Sequence, residues 1–391
     1  MTYELTTEQL ALREAARKFA REVLHPVSME TEKAHRDMPS DLLLQMGKLG
    51  YLGLDIPVEY GGQGLDTLSC GVILEEFSSR WFSAASYPMT LATGPILYAG
   101  SEEQKRHVMP RLCRGEIVTA FALTEPDGGS DAAAIKTHAR RDGDDWVING
   151  RKIFITNAHR ADVLVVFVRT DTKVARGGGI SIFLIDKGTK GLVIGERYKT
   201  LGHQANGISE VIFEDCRVPK SALVGEEGKG FTYIQRGFAT KVRAVYGARC
   251  VGVAQGAMDY ALQYANERKQ FGNTVASYQG NRFKVADLLS KIEAARHLSY
   301  RACVLAERED EQGTVAASMA KHFGSNVCME ATSEAIQLMG GHGFIADHPL
   351  ERYYREAKLF QIGDGTSELL RLLISRYANT RAQSKQPAQL D

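Results

Sequence analysis

The hydrophobic period of the chain changes twice, from helical to alternating and back, and this double change limits the folds available to it. Up to about residue 117 the period is helical. Thr6 and Gln9 form the reciprocal capping pattern of a helix start, and Leu12, Ala15, Phe19 and Val23 follow at helical spacing. Ser40 is placed to cap "DLLLQMGKL", and Ser101 with Gln104 repeats the capping box before "KRHVMPRL". From Val118 the period becomes two. "WVINGRKIFIT" carries Asn149-Gly150 between alternating segments, which predicts a hairpin turn there, and "DVLVVFVRT", "GISIFLIDK" and "SEVIFEDCRV" read as further strands. After "GEEGKG" three long amphipathic segments follow, of lengths that suit an antiparallel bundle. Pro349 then opens another helix and "TSELLRLLISRYA" forms the last. The expectation is an α+β chain with an N-terminal helical domain over 1–117, a β-barrel-like or sandwich middle domain over 118–226, a C-terminal antiparallel helical bundle over 227–382 and a loose tail over 383–391.

Charge and cysteine usage exclude several kinds of function. Lys and Arg number 48 against 47 Asp and Glu, a formal charge of +1, so neither a nucleic-acid arm nor a polybasic membrane patch is expected. The six cysteines lie far apart, without a Cys-x-x-Cys pair or zinc-ligand spacing, and read as buried thiols. No apolar run approaches the roughly 18–20 residues of a spanning helix. The opening "MTYELTTEQLALREAARKFA" has neither an apolar signal core nor the acid-poor character of a transit peptide, so a soluble cytoplasmic protein without membrane insertion is expected.

Few stretches carry chemistry. No Gly-x-Gly-x-x-Gly joins a strand to a helix, and "GEEGKG" lacks the Ser/Thr of a P-loop. "GGHGFIADH" offers His342, Asp347 and His348, but its glycines precede Pro349 in a helix-to-helix turn, and no metal site is expected. "TEPDGGSD" sits where helices give way to strands, and its Gly-Gly pair lets backbone N–H groups approach a phosphate or carbonyl, with Ser130 as a further donor; a solvated surface loop is the alternative. "ERKQFG" pairs Arg268 with Phe271 at a helix end, suited to a pyrophosphate and a ring system, or simply a capped helix with an exposed Arg. "FQIGDGTSELLRLL" places one carboxylate, Asp364, between two glycines in a turn that a neutral residue would close equally well.

Together and in this order, "FALTEPDGGSD", "GRKIFITNA", "ERKQFG", "QLMGGHGF" and "QIGDGTSELLRLLISR" resemble the acyl-CoA dehydrogenase family, flavoproteins that desaturate acyl-CoA thioesters. The resemblance runs from the first helix to about residue 380, and it implies FAD as cofactor. It implies Phe121, Leu123 and Thr124 against the flavin, and Ser130 near phosphate or thioester groups. Phe154 stands beside the flavin ring, where relatives often have Trp, followed by Thr156. Members are usually homotetramers, so Arg268, Phe271, Gln337 and Gly341 are expected to reach the adjacent subunit's cofactor. Thr366 and Glu368 complete the site, Arg243 lies near the CoA moiety, and the turn Gly363–Gly365 meets the thioester. An electron-transferring flavoprotein is the expected electron acceptor.

By the same resemblance Asp364 occupies the place of the glutamate that removes the α-proton of the thioester. Asp is shorter by one methylene, roughly 1.5 Å, and displacement near 1 Å can cost about 100-fold in rate. Gly363 stands where relatives often carry a bulky aromatic residue. The paired changes suggest room for a ring-bearing or α-branched acyl group. Some relatives draw their base from the helix near Arg243, but Val242 stands at that place. The alternatives are an enoyl-CoA reductase, an oxidase, or a flavin-binding relative without dehydrogenase activity; the retained carboxylate and balanced charge weigh against the last.

Overall fold

The computed structural model describes residues 4–174 and 178–383, with backbone alone over 235–239 and at 383. The tail expected beyond 383 lies outside the described residues. The first zone folds into α1 (Thr7–Phe19), which runs through a π-helical turn (Ala20–Leu24) into α2 (His25–Lys33). It continues with α3 (Ser40–Lys48), α4 (Thr67–Ser78), α5 (Phe82–Ala85), α6 (Thr93–Ala99) and α7 (Glu102–Cys113). Thr6 and Gln9, and Ser101 and Gln104, form both expected capping boxes. Ser40 is instead the first helical residue, because Pro39, fixed at φ −60° and extended in ψ, takes the cap position.

The middle zone contains β1 (Thr119–Ala122), β2 (His138–Asp142), β3 (Asp145–Thr156), β4 (Val163–Arg169), β5 (Ile180–Asp186), β6 (Leu192–Arg197), β7 (Ile208–Pro219) and β8 (Leu223–Val224). They form one sheet in the order β6-β7-β3-β2-β4-β5-β8, with β1 parallel to β4 and most other pairs antiparallel. Asn149-Gly150 is not the hairpin turn. The β2–β3 turn is at Gly143-Asp144, since Asp142 pairs with Asp145, and β3 runs unbroken through a bulge at Ile148–Gly150. Gly150 is required there: at φ 142° a Cβ would lie 2.6 Å from the Cα of Thr137.

The last zone contains α8 (Gly230–Gly237), a π-helical turn (Phe238–Val242), α9 (Arg243–Glu267), and the small hairpin β9 (Lys269–Gln270) and β10 (Asn273–Thr274). Then come α10 (Gln279–Glu307), α11 (Gly313–Met339), α12 (Gly341–Phe344), α13 (Leu350–Phe360) and α14 (Ser367–Gln383). The segment expected as one long helix after "GEEGKG" is thus broken by a π turn immediately before Arg243. The two helical zones share one core: α4 is buried along its whole length, and Phe19, Phe77 and Trp81 pack in the same apolar cluster as Val245, Cys303 and Ala320. Gly252 and Gly256 of α9 let α4 approach so closely that a Cβ would come within 2.1 Å of the Glu75 carbonyl oxygen or 2.0 Å of that of Ser79. Tyr353 and Arg352 of α13 donate to the carbonyls of Ser79 and Arg80, anchoring the helix that leads into the Asp364 turn. All six cysteines are buried thiols, and no helix among the described residues is long and apolar enough to cross a membrane.

Candidate active site

Helix α13 ends at Phe360, and the chain turns through Gly363, Asp364 and Gly365 into α14, whose first backbone donors are met by Thr366: its hydroxyl accepts from the Leu369 N–H at 3.3 Å. Asp364 stands at φ 55° and Gly365 at φ 99°. Asp tolerates the left-handed region better than most side chains, so a turn of this shape accommodates it where a branched residue would strain. The residue is half-buried. Burial pushes its carboxyl above the ordinary carboxylate value, while the positive charges of Lys321, Arg249 and Arg243 and a hydrogen bond from Tyr246 pull the other way.

Lys321, Tyr246 and Arg249 escape a reading by motif. Lys321 is fully buried on α11, and its ammonium donates to the carbonyls of Phe360 (3.0 Å), Gly363 (2.7 Å) and Gly365 (2.6 Å). Burial lowers it to about 8, against the opposing effect of Asp364. A lone lysine among the small apolar residues of "AASMAKHFG" is the only sequence signal of this role. Tyr246 of α9 is buried with its ring near Phe82 and Phe360, and the Lys321 ammonium sits 5.2 Å from its centroid. Its hydroxyl lies 3.5 Å from where a Cβ on Gly363 would sit, and the Leu359 side chain bounds the same spot at 3.5 Å. The Tyr246 hydroxyl and the Leu359 side chain thus border the space that Gly363 was expected to open for a ring or an α-branch, at ordinary contact distance from a Cβ there. Arg243, also buried, reaches the other side of the turn, its Nη2 3.7 Å from a Cβ on Gly365, and Arg249 donates to the Met89 carbonyl at 3.1 Å.

A second group lies on the sheet. Phe121 on β1 packs on Phe167 with centroids 4.9 Å apart. The Thr124 carbonyl accepts from the Ile153 N–H at 2.9 Å, which lays the "TEPDGGSD" loop along β3 beside Phe154 and Thr156. Phe154 is 61% exposed at φ 57°, its ring near Tyr198, and Ser130 is exposed on the loop. A buried ion pair that sequence reading missed holds this loop. The Lys152 ammonium donates to Glu125 at 2.7 Å and to the Leu123 carbonyl at 3.0 Å, and Glu125 also accepts from the backbone N–H groups of Lys136 and Thr137. Burial lowers Lys152 to about 8; Glu125, which burial alone would raise, is held below its usual value by Lys152 and the N–H of Lys136.

The third group is remote from the Asp364 turn. Arg268 caps the end of α9, Phe271 is 94% exposed at the tip of the β9–β10 hairpin, and Gln337 and Gly341 are exposed at the end of α11. Helices α9 and α11 run side by side in the same direction, Gly247 against Ala320 at one end and Tyr264 hydrogen-bonded to His342 at the other. The 25 residues between Arg243 and Arg268 span about 37 Å at 1.5 Å per residue, so one chain does not bring Arg268 to its own Asp364. His348 pairs with Tyr260 at 2.8 Å, and among the described residues no group of three His, Cys, Asp or Glu could hold a metal. Glu368 is exposed in the first turn of α14.

A half-buried, cation-flanked carboxylate on a glycine turn and an aromatic-rimmed sheet face lie in the same chain, the first suited to proton transfer and the second to a planar group. Family comparison narrows the class. The acyl-CoA dehydrogenase N-terminal domain matches residues 6–116, the middle domain 120–216 and the C-terminal domain 228–378. An acyl-CoA dehydrogenase of Bacillus subtilis (strain 168) is 40% identical over 378 residues, covering 95% of this chain and 98% of its own. Among solved structures, one on the electron transferring flavoprotein of Acidaminococcus fermentans contains a chain 39% identical with TM-score 0.92, covering 99% of this chain and 100% of that one. The butyryl-CoA dehydrogenase of Megasphaera elsdenii is 33% identical with TM-score 0.92, over 97% of this chain and 100% of that one. The chain belongs to the acyl-CoA dehydrogenase family and is an FAD-dependent oxidoreductase. Its residues fit the cofactor: the exposed Phe154 ring at positive φ offers a flat apolar support, Gly129 of the neighbouring loop is exposed with only the Thr124 methyl near it, and the buried Ser367 hydroxyl beside the Asp364 turn has no partner among the described residues.

Proposed function

We propose that the protein desaturates an acyl-CoA thioester between its α- and β-carbons, with Asp364 as the base that takes the α-proton. Bound FAD supplies the acceptor for the hydride that leaves the β-carbon. The observation that carries the reading is the carboxyl of Asp364, raised by burial yet faced by Lys321, Arg243, Arg249 and Tyr246. Burial makes such a carboxylate more basic toward an acidified C–H proton, and the facing positive charges favour its ionised form. The backbone N–H groups that follow Gly363, whose own N–H is held by the Leu359 carbonyl at 2.8 Å, are suited to polarise the thioester carbonyl, which acidifies that proton.

In this reading Phe121, Leu123, Thr124, Phe154 and Thr156 support the flavin, with Thr366 and Glu368 at its other side. Ser130 and Arg243 hold phosphate or thioester groups of the CoA ester. Arg268 and Phe271, about 37 Å along α9 from Arg243, and Gln337 and Gly341, at the far end of α11 from Lys321, serve the cofactor of an adjacent copy in a homotetramer. Reduced enzyme passes its electrons to an electron-transferring flavoprotein. We take the acyl group as compact, since the Tyr246 hydroxyl and Leu359 border the space beside Gly363; one similar structure is a butyryl-CoA dehydrogenase. Anaerobic mixing of the flavin-loaded protein with straight, branched and cyclic acyl-CoAs tests the reading: short straight chains bleach the flavin, and Asp364→Asn slows bleaching by at least about 100-fold with flavin content unchanged. Full bleaching by the Asn variant would overturn the assignment of the base.

A further inference from the structure

Three carbonyls converge on one buried ammonium at the Asp364 turn. The Lys321 Nζ is within 2.7 Å of the Gly363 oxygen and 2.6 Å of the Gly365 oxygen, so the same atom fixes the peptide unit that enters residue 364 and the one that follows Gly365. The third bond, 3.0 Å to Phe360, ties that atom to the end of α13. Asp364 sits between the pinned peptides at φ 55°, a conformation that L side chains adopt only with support from their surroundings. An ammonium has three donors and no acceptor, and here all three are used on carbonyls. A buried lysine is costly to keep, and here the cost is offset by the three carbonyls it satisfies. The bonds leave the charge itself uncancelled by any carboxylate in direct contact.

We infer that Lys321 is a positioning residue for the proposed base: it fixes the direction in which Asp364 presents its carboxyl and supplies the positive charge that keeps that carboxyl ionised. This rests on the assignment of Asp364 as the base. Asp has one torsion fewer than Glu with which to correct a misplaced backbone, so the backbone must be held, and Lys321 holds it at the residues before and after the base. The other groups facing Asp364 come from α9: Arg243, Tyr246 and Arg249, with the Cys250 thiol next to Lys321 and Tyr246. From α11 and α14, His322 and Glu368 act on one another. Lys321 is the only one of these groups bonded to the turn on both sides of the base.

The test compares Lys321→Gln and Lys321→Arg with the native protein and Asp364→Asn, all flavin-loaded. Three readouts are taken: kcat, KM, and an infrared titration of the protonated carboxyl band that Asp364→Asn removes. Lys321→Gln keeps donors but loses the charge: the carboxyl band and the acid limb of kcat/KM move up together by about one pH unit, and kcat falls at least about tenfold with little change in KM. Lys321→Arg keeps the charge but displaces the donors: the band stays in place and kcat falls by a similar factor. A folded Lys321→Gln with native band position and kcat would overturn the inference. If that variant does not retain flavin, native kcat in Lys321→Arg overturns the claim that Lys321 orients the turn. Bleaching that survives in Asp364→Asn overturns the underlying reading instead, and the two failures are thereby distinct.

Discussion

Asp364 and Tyr246 act as a pair, and the pairing makes the residue scale the place where chemistry is decided. The tyrosine hydroxyl donates to the carboxylate and so favours its ionised form. In Tyr246→Phe that hydrogen bond is gone, the carboxyl rises further, and the acid limb of the kcat/KM profile moves to higher pH; the sign follows because activity needs the deprotonated base. Tyr246→Ala removes the ring as well, and a cyclic or α-branched acyl-CoA that bleaches the native flavin poorly is expected to bleach it faster in that variant. Flavin-bleaching rates across an acyl-CoA panel check both. The Lys152–Glu125 pair is structural by contrast. Lys152→Met strands a buried carboxylate and costs about 3–5 kcal/mol of stability, read as a lower urea midpoint, whereas Lys152→Met with Glu125→Gln recovers part of the loss. None of these partners was visible by motif: a buried Lys or Tyr in a helix or strand has the spacing of its apolar neighbours, and only the packed structure shows which atoms it meets.

Elements were more legible than their junctions. The two capping boxes, the strand alternation and the long helices followed from local patterns because hydrogen bonding and burial act within a few residues of one another. The misplaced hairpin at Asn149-Gly150 shows the limit. Asn-Gly chemistry fits a two-residue turn, but the partner strand β7 runs past that point, and the sheet accommodates the glycine as a bulge under Thr137. The shared core of the two helical zones was equally invisible, since it depends on α4 meeting α9 across more than 170 residues of chain. That contact is testable. A Cβ at residue 256 would lie 2.0 Å from the Ser79 carbonyl, so Gly256→Val forces α4 and α9 apart, and a loss of about 1–3 kcal/mol or more in chemical denaturation is expected. Gly280, with open space around it, is the matched control: Gly280→Ala leaves the midpoint within about 0.5 kcal/mol of native.

At the scale of the whole molecule the open question is where Arg268 and Phe271 work. They lie about 37 Å along α9 from Arg243, with Phe271 94% exposed at a hairpin tip, and a side chain so placed has no function toward its own Asp364. If they complete the cofactor site of an adjacent copy, each working site is built from two chains, and two different inactive variants can repair each other. Asp364→Asn lacks the base but keeps Arg268 and Phe271; Arg268→Ala with Phe271→Ala keeps the base but lacks the groups offered to the neighbour. Each variant alone is expected to be inactive, the first with flavin and the second with reduced flavin content. Unfolding and refolding the two together with FAD in equal amounts gives random pairing across a two-fold interface, in which about a quarter of sites receive a native contribution from both chains. Recovery of bleaching to about that fraction, absent when the variants are refolded separately and then mixed, is the expected result. No recovery in the co-refolded sample, with flavin retained by it, would mean that Arg268 and Phe271 act within their own chain or not on the site at all.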